Sequence, residues 1–230
     1  MPEWGSYSLA DFVMFSPGVY ERLFELENAR LWPYQCLVLL TGVVMLVLQL
    51  RGQRQQRIAQ GIAALAWLVC AWVYFHRSYA SIHTYSNAFA MLFVAQGAGL
   101  ALDALLPGKR AALDGHRGAG RSGIVIFVFA VFVQPLLLLL GGRTPVQTEL
   151  FACMPDPTVL ATIGMLAARR TARGGLFVVP LLWSIYSALT LYTMIPYPLT
   201  AFAAAVAALQ ALLALVLGIQ SLRRRAARHA

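Results

Sequence analysis

From Gly123 to Gly141 the chain runs nineteen residues, GIVIFVFAVFVQPLLLLLG, without a charged side chain. A helix must offer roughly 20 consecutive apolar residues to cross about 30 Å of hydrocarbon. Cutting the sequence at its polar clusters yields seven stretches of that kind: Pro33–Leu50, Ile58–Phe75, Tyr85–Leu106, Gly123–Gly141, Leu150–Ala168, Leu176–Ile195 and Thr200–Leu222. Charged residues make up 12% of the chain against about 25% in ordinary soluble domains, and mean hydropathy is +0.68. The expected fold class is all-α: a polytopic integral membrane protein of seven transmembrane helices, preceded by an amphipathic surface helix. Three segments follow, an amphipathic part over 1–32, a transmembrane bundle over 33–222 and a basic tail over 223–230.

The net charge of +9 invites a nucleic-acid reading, but the basic residues sit in short clusters beside apolar runs with no interleaved recognition motif. They encode topology instead, since Lys and Arg near span ends stay cytoplasmic. Alternate connections carry fourteen of the eighteen basic residues; only Arg22, Arg30, Arg77 and Arg143 fall on the other side. Acidic residues divide the opposite way, with Asp103 and Asp114 alone at the basic end. The pattern predicts an inner-membrane protein with its N-terminus outside and its C-terminus cytoplasmic. The opening MPEWGSYSLADF has no basic region followed by an apolar core, so it reads as neither signal nor transit peptide. Ser8 with Asp11 has capping-box spacing, and Ser16-Pro17 has the form of an N-cap followed by proline.

Candidate chemistry gathers on the predicted outer face. YFHRSYASIHTY (74–85) places His76, Arg77 and His83 between two spans, beside Asn87. The two imidazoles, seven residues apart, share a face if the stretch is helical. With Glu25 and Asp156 these residues form the expected ligand-binding set. His76, His83 and Cys153 form the expected metal set, because neutral imidazole is the commonest transition-metal ligand and a thiolate can complete such a site. Hydrogen bonding of interfacial histidines to an acidic surface is the competing account. In FACMPDPTVLATIG (151–164), Pro155 and Pro157 remove two backbone donors, so the helix is predicted to start near Pro157 with Asp156 as its N-cap. No ionisable residue stands at the middle of a span. Asp103, near an inner end, is expected to reach water or pair with Lys109 or Arg110; Gln96, Gln134 and Gln210 to bond between helices; and Gln49 and Gln60 to reach water.

One further pattern is carried by Tyr7-Ser8-Leu9, Asp11-Phe12, Phe15-Ser16-Pro17, Tyr20, Leu23-Phe24-Glu25, Asn28 and Trp32-Pro33. It resembles the opening of an uncharacterised family of bacterial inner-membrane proteins, a domain of unknown function, and the likeness runs through most of the chain. The resemblance implies that the outer N-terminal helix docks on the bundle. It also implies a Pro-Cys-Pro-Thr element where this chain has Pro155-Asp156-Pro157-Thr158; Asp156 in the cysteine's place counts against a metal site.

Three functions remain in view. The first is binding or translocation of a small solute or metal ion from an outer vestibule, by an uncharged or facilitated pathway in the absence of a midplane charge. The second is a non-catalytic membrane subunit or scaffold of a larger complex or homo-oligomer, with the bilayer as its constant partner. The third is an intramembrane enzyme with a transition metal at the outer face. No nucleophile motif is present, so the chain is expected not to be an enzyme, and no nucleic-acid partner is expected.

Overall fold

The computed structural model describes residues 13–106, 120–169, 173–195, 197 and 199–226. The expected Ser8–Asp11 capping box, Lys109, Arg110 and Asp114 lie outside the described residues. Those residues are helical with no strands: α1 (Pro17–Leu31), α2 (Tyr34–Gln49), α3 (Gln53–Ser81), α4 (Ser86–Leu105), α5 (Arg121–Leu140), α6 (Pro155–Ala168), α7 (Gly174–Thr193) and α8 (Thr200–Ala226). Helices α3, α4, α5, α7 and α8 are long and apolar enough to cross a membrane. The chain bends by 89° between α1 and α2, and that bent pair passes the same test together.

Helix α6 falls short at 14 residues, about 21 Å of rise, and its role differs from the others. From Thr148 to Leu166 every residue is buried, so this stretch is the axis around which the rest packs. Its helix begins at Pro155, two residues before the expected start, with Met154 as the N-cap and no side-chain cap. Proline at the first helical position is tolerated because its missing N–H would have had no partner there. The N-cap expectation for Asp156 is thereby overturned: its side chain turns sideways into the bundle.

Contact between α5 and α6 is backbone on backbone. A Cβ at Gly123 would lie 2.2 Å from the Ala168 nitrogen, and one at Gly164 would lie 2.5 Å from the Phe127 nitrogen. Gly120 N–H donates to the Ala168 carbonyl at 2.9 Å across the same seam. Small residues at such crossings let helices approach where lipid gives no hydrophobic driving force. Within α5, Phe129–Val133 widens into a π-turn just before Pro135. The cause is local, since Pro135 has no N–H and its ring crowds the carbonyl of Val131. Alanine lets α8 close on α7 through Ala203, Ala204, Ala207 and Ala214, leaving Leu209, Leu212, Leu215 and Ile219 exposed.

The two ends of the bundle are polar in different ways. At one end Asp103 is buried and accepts from Gln60 Nε2 at 3.0 Å, with Arg173 Nε at 2.9 Å and Arg169 Nη1 at 3.5 Å. The clamp ties α4 to α3, α6 and α7. Partners for Asp103 thus come from the α6–α7 connection, and Gln60, expected to reach water, is fully buried, as is Gln49. Asp103→Ala is expected to lower stability by about 2–3 kcal/mol, read as the shift in thermal unfolding of the detergent-purified chain. An unchanged melting temperature would show the clamp to be energetically idle.

At the other end α1 lies as a strap. Ser16 accepts from the Val19 N–H at 3.4 Å, so the expected N-cap is present. The buried face, however, is Tyr20, Leu23, Phe24, Glu27 and Asn28, with Val19 left exposed. A strap that buries a carboxylate and an amide is shaped for protein, not for lipid. Asn28 Nδ2 donates to the Val146 and Thr148 carbonyls at 2.8 Å each, Ser78 donates to Glu27, and Gln147 Nε2 donates to Glu25 at 2.8 Å. The docking implied by the family resemblance is therefore found, held by polar contacts.

Candidate functional site beneath the α1 strap

Under the strap, Asp156 is buried at the start of α6. Its Oδ1 accepts from Trp183 Nε1 at 2.7 Å and its Oδ2 from the Ser187 hydroxyl at 2.8 Å, both on α7. Gln210 on α8 donates to the Asp156 backbone carbonyl at 3.2 Å, and Ser184 bonds Gln210 at 3.3 Å. Among the described residues, Glu25, Glu27, Asp103 and Glu149 each meet an arginine. Asp156 forms no ion pair with any of the described residues. Neutral donors alone hold it, and Tyr20, Tyr74 and Tyr79 lie within electrostatic reach.

His83 occupies the turn that follows α3. It is buried, stacks on Tyr79 at 5.0 Å between ring centres, and meets Phe15, Tyr85, Phe89 and Tyr186 with its edges. The Tyr85 backbone N–H donates to Nδ1 at 3.2 Å. That fixes the neutral tautomer with its proton on Nε2, which faces the Tyr186 hydroxyl at 3.1 Å. Tyr186 in turn bonds the Tyr79 hydroxyl at 2.8 Å. Burial pushes the His83 pKa below the usual imidazole range. Beside this chain the Tyr74 hydroxyl is fully buried next to Tyr20 and makes no hydrogen bond of ordinary geometry among the described residues, its ring stacked on Tyr79 at 5.4 Å.

A buried ion pair stands at the edge of the cluster. Arg143 Nη1 meets Glu149 Oε1 at 3.3 Å with each side chain 6% exposed, and Arg143 also sits 6.0 Å over the Phe24 ring. Burial raises the Glu149 pKa and the Arg143 guanidinium opposes that rise. Glu25, at the rim, is held below the usual carboxylate range by hydrogen bonds from Arg22 and then Gln147.

The expected residues divide. His83 and Asp156 come into one buried neighbourhood. His76 is exposed, stacked on Trp72 at 4.7 Å, with its Nδ1 bonded to Asn87 Oδ1 at 3.1 Å; Arg77 is exposed beside it. The shared helical face of His76 and His83 is not formed, because Ala71–Ser78 is a π-turn followed by a single 3-10 turn. Cys153 is buried against α3, its carbonyl 4.0 Å from Cys70 Sγ. The expected metal set His76, His83 and Cys153 is consequently not assembled, and no three His, Cys, Asp or Glu side chains among the described residues converge on a metal position. Sequence reasoning passed over Trp183, Ser187, Tyr186 and the pairing of Arg143 with Glu149. The available signal was Trp183 and Ser187 four apart on one face of α7.

A crevice of about 40 Å³ opens between α4 and α7, walled by Phe89, Leu92, Phe93, Val179, Leu182 and Trp183. Its walls offer nothing to a polar solute, so the polar chemistry of this end belongs to the cluster under α1.

The model of a family described only as being of unknown function matches residues 19–225, from α1 to the end of α8. The chain belongs to that family, DUF6064. No curated protein and no solved structure matches it. For this DUF6064 chain the geometry of the Asp156 neighbourhood therefore carries the functional argument.

Proposed function

We propose that the chain is a seven-span bacterial inner-membrane protein, N-terminus outside and C-terminus cytoplasmic. In this reading it binds and translocates a small solute or ion at an outward site beneath α1, where Asp156 supplies the charge. Support for the topology comes from the basic clusters: Arg57, Arg169 and Arg173 gather around Asp103, while α1 and its acidic residues occupy the opposite end. Helix α2, at 16 residues, and α6, sheathed by its neighbours, complete the seven.

The observation that carries the function is a buried carboxylate with no cation partner among the described residues. Ionisable groups in the membrane interior are costly and are retained where they handle ions, protons or polar substrates. A carboxylate so placed needs a ligand cation to stay ionised, or a proton to neutralise it.

The test is thermal unfolding of the detergent-purified full chain against Na⁺, K⁺, Mg²⁺, Zn²⁺ and choline, wild type beside Asp156→Asn. A ligand at a hundred times its Kd stabilises the folded state by about 2.7 kcal/mol, which is several degrees for a chain of this size. The expected result is such a shift with at least one probe, lost in Asp156→Asn. No shift with any probe, or one of equal size in the variant, would overturn the proposal.

A further inference from the structure

We infer that the His83–Tyr186–Tyr79 chain is the proton port of the Asp156 site, so that the carboxylate exchanges a proton with the outside through it. The inference rests on Asp156 as the charged group of the site and goes further by naming the proton as what occupies that charge between ligands. It also replaces the uncharged pathway expected from the sequence, which counted Asp156 as a helix N-cap and found no charge at the midplane of a span.

Three observations converge on it. First, the links are hydrogen bonds of 3.2, 3.1 and 2.8 Å, from the Tyr85 N–H to His83, from His83 to Tyr186, and from Tyr186 to Tyr79. Second, the polarity is defined. With Tyr85 donating to Nδ1, the His83 Nε2–H points inward at Tyr186, so Tyr186 is free to donate to Tyr79 and the Tyr79 proton then has no acceptor in the chain. Third, the buried Tyr74 hydroxyl lies beside Tyr20 and within electrostatic reach of both Tyr79 and Asp156, and it makes no hydrogen bond of ordinary geometry among the described residues. A donor without an acceptor near such a hydroxyl is where a proton-conducting path is continued, by rotation of a hydroxyl or by a water.

The transfer balances. A proton from external water binds His83 Nδ1 as the Tyr85 N–H turns to solvent; Tyr85 is exposed and stands at the start of α4. His83 passes its Nε2 proton to Tyr186, Tyr186 passes its own to Tyr79, and the last proton reaches an Asp156 oxygen. One proton enters and one carboxylate charge is neutralised; the reverse order returns it. Among the described residues the groups facing these two ends are as follows. Around His83 they are Tyr79, Tyr85 and Tyr186. Around Asp156 they are Trp183, Ser187, Gln210, Glu149, Tyr20, Tyr74, Tyr79 and Cys70. No arginine or lysine among the described residues pairs with either.

The experiment is infrared spectroscopy of the purified full chain between pH 5 and 9, following hydrogen–deuterium exchange of the carboxylic acid C=O band that is absent from Asp156→Asn. Wild type is expected to show the band and exchange it rapidly. Tyr186→Phe, which removes one hydroxyl and keeps the ring, is expected to slow the exchange about tenfold or more. Tyr79→Phe should do the same, and His76→Gln should leave it unchanged. Absence of a protonated Asp156 across that pH range, or exchange in Tyr186→Phe and Tyr79→Phe as fast as in wild type, would overturn the inference. The outcomes are separable from the binding test, because a cation that binds through Asp156 with exchange indifferent to Tyr186 sinks the port and leaves the site.

Discussion

Gly164→Val is expected to prevent the bundle from closing. A Cβ at this position would lie 2.5 Å from the Phe127 nitrogen and 2.8 Å from the Gly123 carbonyl oxygen. Those are backbone atoms, which cannot rotate away as the tip of a side chain can. Relief therefore requires α5 and α6 to separate, and α6 is buried along its length among its neighbours. Overpacking of ordinary cores costs about 1–3 kcal/mol; here the loss should exceed about 3 kcal/mol, since the helix pair itself is pried open. Size-exclusion profile and melting temperature in detergent are the readouts. Gly61→Ala is the matched control: its added methyl meets nothing within 4 Å, so it should be neutral or stabilising by up to about 1 kcal/mol through helix propensity. A monodisperse Gly164→Val protein with wild-type melting would show that the α5–α6 seam is not closely packed.

The second large effect is Arg143→Ala. Removing one member of a buried pair leaves an uncompensated charge, worth about 3–5 kcal/mol, and Glu149 is itself buried. The pH dependence has a definite sign. Burial raises the Glu149 carboxyl and Arg143 opposes the rise, so in Arg143→Ala the folded state prefers the protonated acid more strongly. The deficit should grow as pH climbs above the unfolded carboxylate value of about 4.3 and shrink below it. Arg143 also donates to the Gln147 carbonyl at 3.4 Å, so part of the loss is independent of pH. Unfolding of the variant at acid and neutral pH measures the difference, and adding Glu149→Gln should recover the pH-dependent part. An equal deficit at both pH values would mean that Glu149 is not left as an unpaired charge.

Much of the fold was legible because hydropathy is a local property. Apolar runs between Arg clusters marked α3, α4, α5, α7 and α8, and Ser16-Pro17 marked the start of α1. Helix α6 was visible as an apolar run but not as an axis. A stretch that faces lipid and one that faces other helices have the same composition, since both neighbours are apolar. The two glycines at 123 and 164 are ordinary in sequence and decisive only when they face each other.

Sequence alone determined the helical class, the alternation of charge between connections and the start of an N-terminal amphipathic helix, all of which follow from residue type and short-range spacing; the docking of that helix on the bundle was implied by the family resemblance. Tertiary structure alone decided which polar groups meet. Asp156 bonds Trp183 and Ser187, 27 and 31 residues away. His83 reaches Tyr186 across 103 residues, while His76, a near neighbour in sequence, stays outside with Asn87. The reason is geometric: a π-turn in α3 and a helix start at Pro155 rotate these side chains, and hydrogen bonding between distant segments depends on that rotation rather than on separation along the chain.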